Sequence, residues 1–258
     1  MKVFVLNDTA SHSHSRHNHA GSNATMHELY SMLDGHDIVG KYYAGAKHVP
    51  ESIKECDAVI CNGEGTMRSN SWRVRLLMNA LLEAQQRGQR TALVNSVWHK
   101  NADYSDILDN LDLLTFREVL SYEAAGGKGH VYPDLVFGGS FSSRGKTDRQ
   151  DIWKGIDVHG WLKELPYPCM PVEGDFQRCM DRMADCGFYI TGQYHGVVLA
   201  IMTNTPFAYV PGNTPKIEGL ILTALMAQPS GELLESLRSY YGNATTLQQS
   251  GRIQRLLQ

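Results

Sequence analysis

The sequence predicts an α/β fold with two lobes, each built on a parallel sheet. Three observations indicate this fold class. Short apolar segments rich in β-branched residues alternate with segments whose apolar residues recur at helical spacing, as is typical of parallel sheets. The alternation stops at residues 138–146, which are rich in glycine, serine and arginine, and it then begins again. The chain of 258 residues is long enough for two small lobes with cores of their own.

The first lobe is placed at residues 1–138, and its pattern predicts five strands. These are residues 2–6, 57–61, 91–97, 111–116 and 131–137. Helical spacing of apolar residues predicts the helices 23–33, 72–87 and 118–125. Gly88 ends the second of these helices, since glycine is the usual residue just beyond a helix C-terminus.

The second lobe is placed at residues 139–258, after a linker at residues 138–146. Its pattern predicts strands at residues 151–156, 187–191 and 206–210. It also predicts helices at residues 175–186, 195–202 and 216–226, followed by an amphipathic helical tail at residues 234–258.

Composition narrows the class of protein. The formal net charge of -3 gives no overall attraction to nucleic acid, although a local basic face stays open. No apolar run reaches the roughly 20 residues that span a bilayer, and the short apolar N-terminus does not suit a signal peptide. Five cysteines without a CxxC motif indicate reduced, buried thiols rather than a disulfide framework. We therefore expect a cytoplasmic protein without a membrane span.

The loop after the second predicted strand reads NGEGT and contains Glu64. In open parallel sheets, ligands bind beyond the carboxyl ends of the strands, so this position suits a functional group. Glycines on both sides of Glu64 let the backbone approach a ligand closely. Glu64 is then a candidate general base or a ligand for substrate hydroxyls. The alternative is a tight turn with a solvated glutamate.

Two further loops join strands of the second lobe to helices. In Gly192–Gly196 (GQYHG), His195 stands at a helix start, where free N–H groups favour anionic oxygens. His195 is therefore a candidate hydrogen-bond donor to a phosphate group. In the loop PGNTPK, the side chains of Asn213, Thr214 and Lys216 can bind phosphate, and Glu218 can accept from ribose hydroxyls. The structural alternatives are a satisfied core histidine and a capped helix with a surface Lys–Glu pair.

Four histidines, His12, His14, His17 and His19, lie in one polar loop after the first strand. Clustered histidines are typical of metal sites, but no cysteine or carboxylate here completes a familiar ligand set. We therefore expect no metal and no other cofactor. We interpret the loop as a flexible segment on the side of the protein that would bind an acceptor substrate.

These motifs together resemble the polysaccharide pyruvyl transferase family. The matching segments are DAVICNGEGTM, LLTFREVLSYEAAG, YPDLVF and ITGQYHGVVLAIMTNTPFAYVPGNTPKIEGL, in the order that the family has them. The resemblance implies a GT-B-like fold, with two Rossmann-like lobes whose parallel sheets face a central cleft. It also implies an acceptor site mainly in the first lobe and an activated donor held by the second. His195 falls on the histidine of the family's Arg-x-His motif, and Arg117 falls on the arginine of its Arg-Asp/Glu motif.

One departure from the family bears on the donor. The Arg-x-His motif reads Gln193-Tyr194-His195, so a neutral amide replaces the arginine. Phosphoenolpyruvate carries a carboxylate and a phosphate, and glutamine makes no charge-assisted bidentate bond to either. The sequence therefore favours a glycosyltransferase that moves a sugar from a nucleotide-sugar donor to a hydroxyl, without a metal. The acceptor is a glycan or, as in phage DNA modification, a hydroxymethylated base. Ketal-forming pyruvyl transfer from phosphoenolpyruvate is the alternative, and a non-catalytic sugar-binding protein is a third.

The predicted site has three groups of residues. Glu64 is the expected base, with His19 as its substitute and His195 as the third catalytic residue. The expected donor-binding residues are Arg117, Gln193, His195, Asn213, Thr214, Lys216 and Glu218. The expected acceptor-binding residues are Asp8, Gly21, Ser22, Arg68 and Arg73. The two arginines, with Arg75, would supply a basic rim for DNA; the alternative is an ordinary helix start with solvated arginines.

Overall fold

A computed structural model describes residues 1–11, 19–46, 48–142, 149–227, 233–241 and 245–258. In these ranges, the first lobe contains a six-stranded sheet in which every pairing is parallel. Its strands are β1 (Lys2–Leu6), β2 (Asp37–Tyr42), β3 (Ala58–Glu64), β4 (Arg90–Ser96), β5 (Leu113–Phe116) and β6 (His130–Val131). Their spatial order is β2-β1-β3-β4-β5-β6, so the chain winds outward in both directions from β1 and β3.

Helices cover both faces of this sheet, and its central strands are therefore buried on both sides. The helices of this part of the chain are α1 (Ala20–Met32), α2 (Trp72–Gln86), α3 (Ser105–Asp109) and α4 (Val119–Ala124). Leu77 and Leu81 of α2 pack with Phe4 on one face, whereas Leu29 of α1 packs with Val3 on the other. Alternate residues of β1 therefore serve two different cores, as a parallel strand requires.

The second lobe contains a three-stranded parallel sheet with the order β7-β8-β9. Its strands are β7 (Ile152–Lys154), β8 (Phe188–Thr191) and β9 (Phe207–Tyr209), and its helices are α5 (Phe176–Ala184), α6 (Tyr194–Met202), α7 (Lys216–Ala227) and α8 (Leu233–Tyr241). Every residue of α6 from Tyr194 to Ile201 is buried. Helix α6 is thus the centre of this lobe, and its N-terminus faces the first lobe.

The last helix, α9 (Thr245–Leu256), packs against the sheet of the first lobe. Ile253, Leu256 and Leu257 join the core that contains Val3 and Val5. The Gln249 amide donates to Thr115 Oγ1 at 3.1 Å, in the middle of β5. Residues from the two ends of the sequence therefore share one core.

The two lobes also meet where glycines allow close packing. A Cβ atom on Gly21, in the first turn of α1, would lie 2.1 Å from Cγ of His195. A Cβ atom on Gly219, in α7, would lie 1.9 Å from Oε2 of Glu118. Any larger residue at either position would push the lobes apart, so the mutual placement of the lobes depends on these contacts.

Several predicted boundaries were wrong. The strand predicted at residues 131–137 ends at Val131, because Pro133 lacks an N–H group and Asp134 caps the 3-10 turn Leu135–Gly138 by accepting from Val136 N at 3.2 Å. Helix α1 begins at Ala20 rather than residue 23, and Asn62, Gly63 and Glu64 belong to β3 rather than to a loop. The tail forms two helices, α8 and α9.

Two further expectations from the sequence concern the state of the cysteines and the absence of a membrane-spanning segment. All five cysteines are free, and four of them are buried, whereas Cys169 is exposed. No helix in the described part of the chain is long and apolar enough to cross a bilayer. Residues 143–146 of the predicted linker lie outside the described residues.

Candidate active site

A pocket of about 280 Å³ lies between the lobes, at the carboxyl ends of strands from both sheets. This is the edge at which open parallel sheets bind ligands. The first lobe contributes His19, Ser22, Glu64, Gly65 and Arg117 to its lining. The second lobe contributes Ile156, Asp157, Val158, Gly192, Gln193, Tyr194, His195, Gly212, Asn213 and Lys216.

Glu64 is the last residue of β3 and is held firmly in place. Its Oε1 accepts from Ser22 Oγ at 2.6 Å, and its Oε2 accepts from Thr9 Oγ1 at 2.7 Å. Its backbone has φ of 37°, a left-handed conformation that costs energy for a residue with a side chain. Burial would raise the pKa of Glu64, but His195 where it is protonated at low pH, the permanent charge of Arg117 and the two hydroxyl bonds lower it. The carboxylate is therefore ionised near neutral pH.

Two histidines stand beside this carboxylate. His19 caps the N-terminus of α1, where its Nδ1 accepts from Ser22 N at 3.3 Å, which puts the proton of the neutral ring on Nε2. The ring centroids of His19 and His195 are 5.2 Å apart. Burial lowers the pKa of both imidazoles, even though Glu64 attracts a proton to His19 and Asp134 attracts one to His195. Both rings are therefore neutral near pH 7.

Arg117 is the first of two cations in the pocket. It is only 2% exposed, and its Nη1 donates to Asp134 Oδ2 at 2.8 Å. Its guanidinium carbon lies 3.9 Å from the ring centroid of Tyr194, in a cation–π contact. Asp134 also accepts from Thr25 Oγ1 at 3.2 Å. Arg117 thus has a fixed position and a permanent charge, because a guanidinium does not lose its proton in proteins.

Lys216 is the second cation, at the start of α7. Its Nζ donates to Asn213 Oδ1 at 3.3 Å. Partial burial, together with the charges of Arg117 and Arg68, lowers the pKa of Lys216 to about 8. A Cβ atom on Gly65 would lie 3.8 Å from Arg117 Nη2 and 3.9 Å from Lys216 Nζ. Gly65 therefore leaves a space between the two cations.

Gln193 has a structural contact in addition to its place in the lining. Its Oε1 accepts from Val172 N at 3.3 Å. It also stands at the N-cap position of α6 without capping the helix with its side chain. The first N–H groups of α6 are thus not capped by Gln193, and an anion in the pocket can use them.

The pocket brings together eight of the predicted site residues. They are His19, Ser22, Glu64, Arg117, Gln193, His195, Asn213 and Lys216. Six other predicted residues do not line it, namely Asp8, Gly21, Arg68, Arg73, Thr214 and Glu218.

The residues outside the lining have identifiable surroundings. Asp8 is buried in the first lobe, where its carboxylate accepts from Ala10 N at 3.0 Å and from Tyr30 Oη at 2.9 Å. Arg73 is exposed and lies over the ring of Trp72, at 5.5 Å from the centroid. Arg75, which the DNA hypothesis also uses, donates to the Asn70 carbonyl at 2.8 Å. The roles predicted for these residues stay predictions.

Sequence reasoning missed Asp134 and the segment Ile156 to Val158. Asp134 was read as part of a strand, and its contact with Arg117 joins positions that are 17 residues apart. The second segment follows β7, so the rule that sites lie beyond parallel strands could have indicated it. It lacks the glycines that drew attention to the other loops.

The described part of the chain contains no cluster of metal-ligating side chains. No group of three or more histidine, cysteine, aspartate or glutamate residues stands close enough to hold an ion within these ranges. His12, His14 and His17 lie outside the described residues, so the predicted absence of a metal stays a prediction.

Comparisons with known proteins agree with this geometry. The sequence profile of the family described as polysaccharide pyruvyl transferase matches residues 9–213. The fold is that of GT-B proteins. UDP-GlcNAc 2-epimerase from Neisseria meningitidis, solved bound to UDP-GlcNAc, is similar with a TM-score of 0.55 and 9% identity, over 100% of this chain and 99% of that chain. MurG from Acinetobacter baumannii is similar with a TM-score of 0.52 and 12% identity, over 98% of this chain and 99% of that chain. No curated protein matches the sequence.

Proposed function

The chain belongs to the polysaccharide pyruvyl transferase family, and on this premise we propose that it forms a pyruvate ketal on a glycan with phosphoenolpyruvate as the donor. Family membership makes it a transferase. The donor and the acceptor are the proposal. Likeness in fold to UDP-GlcNAc 2-epimerase and to MurG, at 9% and 12% identity, does not decide between donors.

The observation that carries the proposal is the pair of cations at Gly65. Phosphoenolpyruvate is small and bears a carboxylate beside a phosphate. Arg117 Nη2 and Lys216 Nζ lie 3.8 and 3.9 Å from the position that a Cβ atom on Gly65 would take, so both cations border the space in front of Gly65, where two anionic groups of one molecule would each meet a cation. The pocket of about 280 Å³ is at the small end of the roughly 300–1,000 Å³ of ligand sites. These features suit a compact, highly charged donor.

This proposal reverses the preference drawn from the sequence. In the sequence, the glutamine at position 193 replaces the cation that would bind phosphoenolpyruvate. However, Gln193 contacts Val172 N, and the positive charge of the pocket comes from Arg117 and Lys216. In addition, Glu218, which was predicted to hold a ribose, is not part of the pocket lining. Glycosyl transfer from a nucleotide-sugar therefore becomes an outcome of the test, and no feature of the described residues favours a DNA acceptor.

The proton steps follow from the charge states of the residues. A first sugar hydroxyl adds to C2 of phosphoenolpyruvate and gives its proton to Glu64, while C3 receives a proton from His19 and becomes a methyl group. A second hydroxyl then displaces phosphate from C2, which closes the ketal, and its proton leaves with the phosphate. Free His19 is neutral, but a bound phosphate dianion would raise its pKa and charge it for this step.

The test supplies the protein with phosphoenolpyruvate and a mixture of reducing-end-labelled oligosaccharides. We expect phosphate release and a product heavier than the oligosaccharide by one pyruvate less one water. Phosphoenolpyruvate should also raise the melting temperature, because a ligand that binds only the folded state stabilises it. Stabilisation by UDP or GDP but not by phosphoenolpyruvate, with sugar transfer from the corresponding nucleotide-sugar, would replace this proposal by the glycosyltransferase hypothesis.

A further inference from the structure

The loop that follows β7 displays apolar side chains to solvent at the mouth of the pocket. Ile156 is 44% exposed, and Val158 and Trp161 are each 57% exposed. Ile156, Asp157 and Val158 also line the pocket. Exposed apolar groups that continue into a polar pocket mark a surface for a ligand or a partner rather than ordinary surface variation.

This loop has a fixed conformation. Both oxygens of Asp157 accept backbone N–H groups: those of His159 and Trp161 at 3.0 and 2.9 Å on Oδ2, and that of Leu162 at 3.0 Å on Oδ1. At the other end of the loop, Lys154 Nζ donates to the carbonyls of Lys163 and Leu165 at 2.8 and 2.5 Å. The loop therefore does not lose much conformational entropy when a ligand binds to it.

One face of the Trp161 ring is supported from within the loop. The imidazole of His159 stacks on the indole, with centroids 4.4 Å apart and planes inclined by 22°. His159 thus holds the indole ring in one orientation, while more than half of the side chain remains accessible to solvent. A flat, supported aromatic ring matches the apolar C–H face of a pyranose, which rests on the ring while its hydroxyls remain free for polar partners.

We propose that Trp161, supported by His159 and positioned by Asp157, is a stacking platform for a pyranose ring of the acceptor glycan. The inference rests on the proposed function in taking the acceptor to be a glycan. Ile156 and Val158 of the same loop line the pocket, so a sugar ring on Trp161 would belong to the same glycan as the sugar whose hydroxyls react. On this proposal the second lobe binds part of the acceptor, whereas the family resemblance implies an acceptor site mainly in the first lobe.

The test measures binding without turnover. Methyl pyranosides of glucose, galactose, mannose, N-acetylglucosamine and rhamnose are titrated by saturation-transfer NMR against four proteins: wild type, Trp161→Ala, Trp161→Phe and Trp72→Ala. Trp72 is also exposed, but it lies on α2 outside the pocket lining and serves as the matched control. We expect at least one glycoside to bind wild type, Trp161→Phe and Trp72→Ala alike, and to bind Trp161→Ala about tenfold more weakly or worse.

Three results would overturn the platform: binding of none of the five glycosides, equal binding to Trp161→Ala and wild type, or a change in the oligomeric state of Trp161→Ala, which would make the patch a contact between copies of the chain. All five glycosides offer a C–H face, so a sugar platform has to hold at least one. The proposed function is tested separately, by stabilisation with phosphoenolpyruvate, which Trp161→Ala should retain. Sugar binding through Trp161 without any response to phosphoenolpyruvate would refute the donor and leave the platform standing.

Discussion

Replacing Lys216 by methionine tests whether this side chain holds an anionic donor. Methionine keeps the length and the apolar stem of lysine but removes the ammonium group. A hydrogen bond to a charged group contributes about 1.5–3 kcal/mol. Since about 1.4 kcal/mol corresponds to a factor of ten, Lys216→Met should bind phosphoenolpyruvate roughly 10- to 150-fold more weakly than wild type at pH 7.

The pKa of Lys216 adds a dependence on pH to this prediction. Only the protonated amine attracts the donor, and in the free protein its pKa is about 8. The affinity of wild type should therefore be constant from pH 7 to just below pH 8 and then fall by up to about tenfold per pH unit as the ammonium is lost. At pH 8, binding should be accompanied by proton uptake, because a bound anion raises the pKa of Lys216. In the variant the contribution of Lys216 to both effects should be absent, so that the decline in affinity is shallower and the remaining proton uptake comes from His19.

Isothermal titration calorimetry checks both predictions, since titrations in buffers of different ionisation enthalpy report the proton uptake directly. Lys54→Met is the matched control, because Lys54 forms a surface ion pair with Glu51 and does not line the pocket. Equal affinity of Lys216→Met and wild type at pH 7, or the same decline with pH in both, would refute the placement of the anion beside Lys216.

Three further predictions concern the base, the contact between the lobes and metals. Glu64→Gln should lower kcat by at least about 100-fold with donor affinity within a few fold of wild type, in line with the loss of a general base; a near-normal kcat would move the role to another residue. Gly21→Ala should lower the free energy of unfolding by about 1–3 kcal/mol, because its Cβ would overlap the ring of His195. The control is Gly251→Ala, whose Cβ would meet only Arg255 at 3.8 Å and which should leave the melting temperature unchanged or raise it. Turnover should survive prolonged treatment with EDTA; loss of turnover that a divalent cation restores would require a metal site in the chain.

Much of the fold was predictable because it depends on local pattern. The central strands β1, β3 and β4 are buried on both faces and read as continuous apolar runs. Strand β2 was missed because it lies at the edge of the sheet, is only partly buried, and contains Gly40 and Lys41. The short helix Ser105–Asp109 was missed for a similar reason, since only Ile107 and Leu108 of it are buried.

The candidate site was predictable where its residues stand in glycine-containing loops after strands. Glu64 ends β3, His195 lies in the first turn of α6 and Lys216 begins α7, each beside a glycine-containing segment that the sequence pattern indicates, and all three line the pocket. The ion pair of Arg117 with Asp134 was not predictable, because it depends on how the chain turns between β5 and the 3-10 turn after β6. The lowered pKa of Lys216 is likewise a tertiary property, because it arises from burial and from cations in other elements.

The return of α9 to the first sheet has a consequence for how the protein is made. Domains of a nascent chain generally fold in order from the N-terminus, as each emerges from the ribosome. Here the core around Val3 and Val5 is closed by Ile253 and Leu257. Helix α1 covers part of this apolar face early, but the part that α9 covers stays exposed until residue 257 has emerged, although the strands are synthesised first. During that interval the half-finished lobe is the species most exposed to aggregation, and chaperone binding to nascent chains should be strongest there.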